Sequence, residues 1–227
     1  MSKVIVITGG GTGIGKEVAR ILASDHTVVI VSRDEGPLKA AAEEVGCSYK
    51  IGDVTDAKRV NTLIHEVIDE QGQIDVLVNN AGVWIQGELE DNDPDQIKEV
   101  VEVNTLGPIM CAQAVIPHMK KRGRGLIINT ISQAGLYAKE ERSVYNASKW
   151  AVTGLTKCLQ HDLLPHGIRV TGLYPGPVQT DLFAHAGIDR DLSTALDPKE
   201  VAMCVKFVID RPDTVCIPEM GIRPLSS

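Results

Sequence analysis

Five β-branched residues, Val4–Thr8 (VIVIT), run straight into the glycine loop Gly9–Gly15 (GGGTGIG) and then into KEVARILAS, whose Val18, Ala19, Ile21 and Leu22 fit one face of a helix. Strand, glycine turn and helix in this order leave few folds open. A helix amino terminus presents unpaired N–H groups and the positive end of its dipole, which attract phosphate. Glycines let the backbone approach a pyrophosphate and let the helix pack closely on the strand. A second β-branched run, Thr27–Ser32 (TVVIVS), follows the helix. The pattern therefore predicts a βαβ unit that binds a dinucleotide.

The alternation continues along the chain. Strands are predicted near 4–8, 27–32, 48–51, 74–78, 126–131 and 168–174, and helices near 14–24, 36–45, 57–71, 94–119, 143–163 and 198–209. Pro94 suits the first turn of its helix, and the acidic run Glu88–Asp95 reads as a solvated turn. This order implies an α/β fold, a Rossmann-type doubly wound parallel sheet with helices on both faces. A length of 227 residues suits a single domain over 1–227. The composition, 43% apolar but only 4% aromatic, fits a Val/Ile-rich sheet buried on both sides.

Charge and motif content exclude other classes. A formal charge of −7 argues against a nucleic-acid partner, which calls for a basic face. With neither a signal-peptide pattern nor an apolar run of membrane-spanning length, the expectation is a cytoplasmic protein without a membrane partner. Cys47, Cys111, Cys158, Cys204 and Cys216 are scattered and show no CxxC spacing, as expected of core thiols in a reducing compartment. The histidines form no ligand cluster, His161 and His166 included, and no metal site is expected.

The chemistry is written in the second half. Tyr145 and Lys149 share a helix face at i and i+4, and Ser132 follows the apolar run Leu126–Ile131, at the carboxyl end of a predicted strand where α/β sheets bind ligands. A free phenol ionises near pH ~10; a neighbouring cation lowers that value. The trio reads as a proton donor and acceptor for a carbonyl or alcohol.

With these motifs in place, the chain resembles a classical short-chain dehydrogenase/reductase from end to end. The resemblance is carried by Thr8, Gly9, Gly13 and Gly15 (TGxxxGxG), Asn79, Asn80, Ala81 and Gly82 (NNAG), Asn104, Ser132, Tyr145 and Lys149 (YxxxK), and the PGPVQT turn Pro175–Thr180. It implies catalysis by Asn104, Ser132, Tyr145 and Lys149. Tyr145 would pass the proton, Lys149 would lower its pKa and hold the nicotinamide ribose, Ser132 would bind the substrate oxygen, and Asn104 would hold a water linking Lys149 to solvent. Asn104 also reads as a helix-interior asparagine at a kink. The cofactor would lie on Gly9, Thr12, Gly13, Ile14, Gly15, Ser32, Arg33, Asp53, Val54, Asn80, Ala81, Gly82, Tyr145, Lys149, Pro175, Gly176, Val178 and Thr180. Asp53 reads equally as a turn former.

Ser32 and Arg33 end the second strand where an acidic residue would favour NAD. A guanidinium there suits a 2′-phosphate, so NADP(H) is the expected cofactor, with Asp34 facing solvent. The implied activity is hydride transfer with a small carbonyl or secondary alcohol substrate of ketone, 3-oxoacyl or hydroxy-acid type. The alternative is a catalytically silent NADP-binding regulator of the same fold. Trp84, Ile85, Gln133, Leu136, Tyr137, Tyr174 and Leu182–Leu196 are candidates to line or cover the substrate pocket, with Gly187 as a hinge. No Lys/Arg cluster unambiguously marks an acyl-carrier docking face, and Lys120, Lys121, Arg122 and Arg124 fit a helix end, where cations are favourable. Within the tail Val215–Ser227, Pro218 and Pro224 would flank an edge strand. A homotetramer or homodimer is expected, paired through the helices of Asn104 and Tyr145, where Ala147, Ala151, Val152 and Gly154 would allow close approach.

Overall fold

The structure, a computed structural model, describes residues 2–225; of the tail, Ser226 and Ser227 lie outside the described residues. Seven strands pair in parallel: β1 Val4–Thr8, β2 Thr27–Ser32, β3 Ser48–Ile51, β4 Val76–Asn79, β5 Gly125–Thr130, β6 Ile168–Pro175 and β7 Glu219–Ile222. Their order is β3-β2-β1-β4-β5-β6-β7. The chain reverses direction across the sheet between β1 and β4, and the crevice above that switch point is where such sheets bind ligands.

Strand residues alternate between two cores, as a period of two requires. Ile5 and Ile7 pack with Val18, Leu22, Leu38 and Val201 from α1 Gly13–Leu22, α2 Glu35–Val45 and α8 Pro198–Ile209. Val4 and Val6 face Leu63, Val67, Val115 and Leu163 from α3 Ala57–Gln71, α5 Gly107–Arg122 and α6 Ser143–Leu163. Both faces are therefore covered, and the central strands read as unbroken apolar runs. Aspartates cap three helices: Asp56 accepts from Lys58 and Arg59 N–H at α3, Asp93 from Asp95 and Gln96 at α4 Pro94–Val101, and Asp197 from Lys199 at α8.

The fold departs from expectation in two places. The helix predicted near 94–119 is two helices, α4 and α5, joined by a π-turn over Glu102–Leu106. Pro108 has no N–H, so the carbonyl of Asn104 loses its usual i+4 donor and the ladder widens there instead. The strand predicted near 74–78 is β4 at Val76–Asn79. A third correction concerns the membrane expectation: Pro94–Arg122 does have the length and apolarity of a membrane span. In the fold it is a helix pair whose Val100, Val103, Cys111, Val115 and Met119 are buried.

Candidate active site

The glycine loop closes on itself through its neighbours. Thr8 Oγ1 accepts hydrogen bonds from the backbone N–H of Asn80 (3.0 Å) and Ala81 (3.1 Å), and Asn80 Nδ2 donates to the carbonyls of Thr8 and Gly9 (3.3 Å each). The NNAG segment thus ties the end of β4 to the end of β1. Gly9 has φ +65, and a Cβ there would meet the Ala81 backbone at 2.8 Å. Gly15 packs against the Gly9 carbonyl and beside Asn80 Nδ2, with no room for a Cβ, so its part is to seat α1 on the loop rather than to line the groove. Thr12, at the N-cap of α1, makes no side-chain capping hydrogen bond, unlike the aspartates at α3, α4 and α8. That helix end is left open to an anion.

A groove of about 380 Å³ runs along the carboxyl ends of the strands. It brings together Gly9, Thr12, Gly13, Ile14, Ser32, Arg33, Asp53, Val54, Asn80, Ala81, Gly82, Pro175, Gly176, Val178 and Thr180 with Ser132, Tyr145 and Lys149. A glycine floor, an uncapped helix end and cations at both ends fit a dinucleotide. Asp53 accepts from Thr55 N–H and Oγ1, both at 2.8 Å, so it forms its own turn while lining the groove. Arg33 at the end of β2 is half-exposed and pairs with Glu99 at 3.0 Å; Asp34 is exposed, and its carboxylate lies 3.9 Å from Arg33 Nε.

At the other end, Tyr145 and Lys149 are buried on α6, and Lys149 Nζ stands 5.7 Å from the Tyr145 ring centre. Ser132 follows β5 with φ 140, a conformation that costs a non-glycine residue strain and recurs at functional sites. Its hydroxyl accepts from Ala134 N–H at 3.1 Å and acts to lower the Tyr145 pKa. Asn104 lies behind Lys149, fully buried. Its Oδ1 accepts from Val83 N–H (2.8 Å), and its Nδ2 donates to the Val83 carbonyl (2.9 Å) and to Ser148 Oγ (3.3 Å). The side chain therefore fastens the π-turn to the segment after β4, as the kink reading expects.

The electrostatics differ from expectation in one respect. Burial pushes the Tyr145 phenol up to about 12, and the groups that pull it back are the Ser132 hydroxyl and then Arg142. Lys149 is not among them. Burial brings its own ammonium down to about 8, so the charge expected to lower the tyrosine is itself destabilised by the same dry surroundings.

Several pocket candidates lie elsewhere. Tyr174 is buried beneath α6 with Ile131 and Val152, its hydroxyl 3.3 Å from Glu219 Oε1. Ile85 is buried in the cluster around Trp84, and Gln133, Leu136 and Tyr137 belong to the turn after Ser132, outside the groove lining. Trp84 does line it, tilted against Tyr145 at 4.2 Å and edge-on at 4.7 Å to Phe183. From Leu182–Leu196, Leu182, Phe183, His185 and Arg190 reach the groove. Gly187, φ +72, terminates α7 Leu182–His185, and Leu196 bridges to Val178, which anchors the segment's far end. Arg142 also lines the groove and was not singled out by any motif, although it precedes Tyr145 by three residues, one helical turn. Arg122 is not free to dock a carrier: it pairs with Asp75 at 2.8 Å and donates to the Ile74 carbonyl, just before β4, at the amino ends of the strands and so opposite the groove.

These features coincide with a known class. The short chain dehydrogenase family model matches residues 3–191, and the chain belongs to that family. An uncharacterized oxidoreductase of Staphylococcus saprophyticus is 33% identical over 98% of this chain and 97% of its own length. A trans-4-hydroxycyclohexanecarboxylate dehydrogenase of Sinomonas cyclohexanicum is 36% identical over 80% of this chain and 74% of its own. Among solved structures, an alcohol dehydrogenase from the archaeon Thermococcus sibiricus, complexed with 5-hydroxy-NADP, superimposes with a TM-score of 0.89 at 29% identity, covering 100% of this chain and 98% of the other. The protein is an oxidoreductase of this family.

Proposed function

We propose that the protein is an NADP(H)-dependent oxidoreductase that interconverts a small carbonyl compound and its secondary alcohol. The observation that carries the reading is the joint placement of Ser132, Tyr145 and Lys149 at one end of a groove whose other end holds Ser32 and Arg33. The bound nicotinamide supplies or accepts the hydride. Tyr145 gives its proton to the carbonyl oxygen, and the Ser132 hydroxyl, which shares the groove lining with the phenol, steadies the charge that develops there. Lys149 would hold the ribose, and Asn104 would hold a proton-relaying water that links Lys149 to solvent. Gly9, Gly13, Ile14 and Thr12 would carry the pyrophosphate, with Gly15 seating the loop. Asp53 and Val54 would flank the adenine; Asn80, Ala81, Gly82, Pro175, Gly176, Val178 and Thr180 would complete the cradle.

The Arg33 guanidinium would exchange its exposed carboxylate partner for a 2′-phosphate, a small cost since such surface pairs contribute only about 0.2–1 kcal/mol. The Thermococcus sibiricus relative's NADP-type ligand supports the same choice. Assembly as a homo-oligomer is supported by the outer face of α6, where Ala147, Trp150, Ala151 and Gly154 are exposed; Val152 instead packs into its own core. A cytoplasmic setting goes with these proposals.

Purified protein assayed against ketones and secondary alcohols with both cofactors tests the activity. Tyr145→Phe should lower kcat by at least about 100-fold while NADPH binding changes little. Arg33→Ala should weaken NADPH binding about ten- to a hundred-fold and spare NADH; equal losses, or a native preference for NADH, would overturn the cofactor assignment.

A further inference from the structure

Two arginines stand at the substrate end of the groove without a carboxylate. Six of the chain's other arginines have an acidic partner within 4 Å: Arg20, Arg33, Arg59, Arg122, Arg124 and Arg169. Arg142 and Arg190 have none among the described residues, although both are half-buried and both line the groove. In a chain of net charge −7, acidic groups are plentiful, so their absence here leaves a local excess of positive charge.

The two cations are held on aromatic faces instead. The Arg142 guanidinium lies 5.2 Å from the Trp84 ring centre and that of Arg190 lies 4.6 Å from Phe183, while Trp84 and Phe183 touch edge to face at 4.7 Å. Such stacking orients a guanidinium plane and leaves its edge donors available. Arg142 Nε is buried without an acceptor. Burial lowers the Arg142 pKa and the nearby charge of Arg190 lowers it further, against smaller opposing effects of Tyr145 and Glu141. The backbone that sets Arg142 is fixed as well: Gly87 N–H donates to the Glu141 carbonyl at 2.9 Å, and Gln86 Nε2 holds the Glu141 carboxylate at 3.1 Å. Of the acidic groups in the groove lining, Asp34 and Asp53 sit at the Arg33 end and Asp181 is exposed on the turn before α7.

Two half-buried like charges near each other are unfavourable until an anion joins them. Trp84 contacts both groups, its ring centre 5.2 Å from the Arg142 guanidinium and 4.2 Å, tilted, from the Tyr145 ring, so an apolar indole wall adjoins both the anion and the reacting oxygen. Resting on the oxidoreductase reading above, we propose that Arg142 and Arg190 form a carboxylate seat, and that the substrate is an oxo acid, or the corresponding hydroxy acid, with an apolar spacer between its carbonyl and its carboxylate.

The test uses linear oxo acids of increasing spacer (4-oxopentanoate, 5-oxohexanoate, 6-oxoheptanoate), their neutral methyl esters and a ketol phosphate, with saturating NADPH. The wild type should favour the best acid over its ester by at least about tenfold in kcat/KM. Arg142→Gln and Arg190→Gln should each lower kcat/KM for the acid by about ten- to a hundred-fold, chiefly through KM, and leave the esters and the NADPH Kd within about threefold. Calorimetric binding of pentanoate to the NADP-loaded protein should weaken by the same factor. Esters reduced as well as acids, equal losses on both, or turnover of the phosphate alone would overturn the carboxylate seat and leave the oxidoreductase reading standing. Pentanoate binding that depends on both arginines, with no acid or ester reduced, would support the seat and count against that reading.

Discussion

Lys149 should cost the fold stability at neutral pH, and removing its charge should show how much. In the unfolded chain a lysine titrates near 10.5; burial on α6 brings this one down to about 8. At 1.36 kcal/mol per pH unit, keeping the ammonium protonated below pH 8 costs about 3 kcal/mol. The sign follows from proton counting: between about 8 and 10.5 the unfolded chain holds a proton that the native protein has released, so stability rises with pH across that window. Tyr145 acts in the opposite sense but later. Its native pKa of about 12 exceeds the ordinary value near 10, so its stabilising contribution is complete below pH 10 and is lost only as pH climbs towards 12. Lys149→Met keeps the length of the side chain and removes the charge, giving up a long 3.5 Å contact to the Thr130 carbonyl and the 5.7 Å approach to the Tyr145 ring centre. Without cofactor at pH 7, the variant should melt about 6–12 °C above wild type, on about 2–4 °C per kcal/mol for a chain of this size, while losing activity. The gap should narrow from pH 8 and close near 10.5. Thermal melts followed by circular dichroism over pH 6.5–10.5 read this directly. A variant less stable than wild type at pH 7, or a gap that ignores pH, would refute the account.

Other expectations are independent of that one. Gly15→Ala places a methyl against the Gly9 carbonyl and 2.7 Å from Asn80 Nδ2, so it should abolish NADPH binding by fluorescence titration and destabilise the fold by roughly 1–3 kcal/mol, the usual cost of overpacking. Glu99→Gln removes the carboxylate that engages Arg33 at 3.0 Å and should tighten NADPH about two- to fivefold without changing NADH. Burial lifts the Cys111 thiol to about 12, so a thiol reagent should label exposed Cys158 and Cys216 in the native protein and reach Cys111 only on unfolding; mass spectrometry of the labelled peptides checks this.

How far the sequence could be read follows from which interactions are local. β1, the glycine loop and α1 are contiguous, and the ties to Asn80 join side chains of the two motifs, Thr8 Oγ1 and Asn80 Nδ2, to backbone groups, so VIVIT followed by GGGTGIG is sufficient to place the groove. The break in the 94–119 helix was hidden because the apolar period passes through the π-turn undisturbed; only Gly107–Pro108 marked it, through a missing donor rather than a missing apolar residue. Tyr174 misled for a related reason. It precedes the PGPVQT turn in sequence, yet strand alternation turns its side chain under α6, away from the groove that the turn enters. Arg142 left no pattern to read at all. Its meaning depends on Trp84 after β4, Phe183 on α7 and Arg190 beyond it, segments far apart in the chain whose meeting only the fold reveals. The cofactor half of the groove is built largely from backbone and small residues at fixed spacing, and is legible. The half proposed for substrate is built from side chains of three separate segments, a tertiary constellation that no local motif encodes.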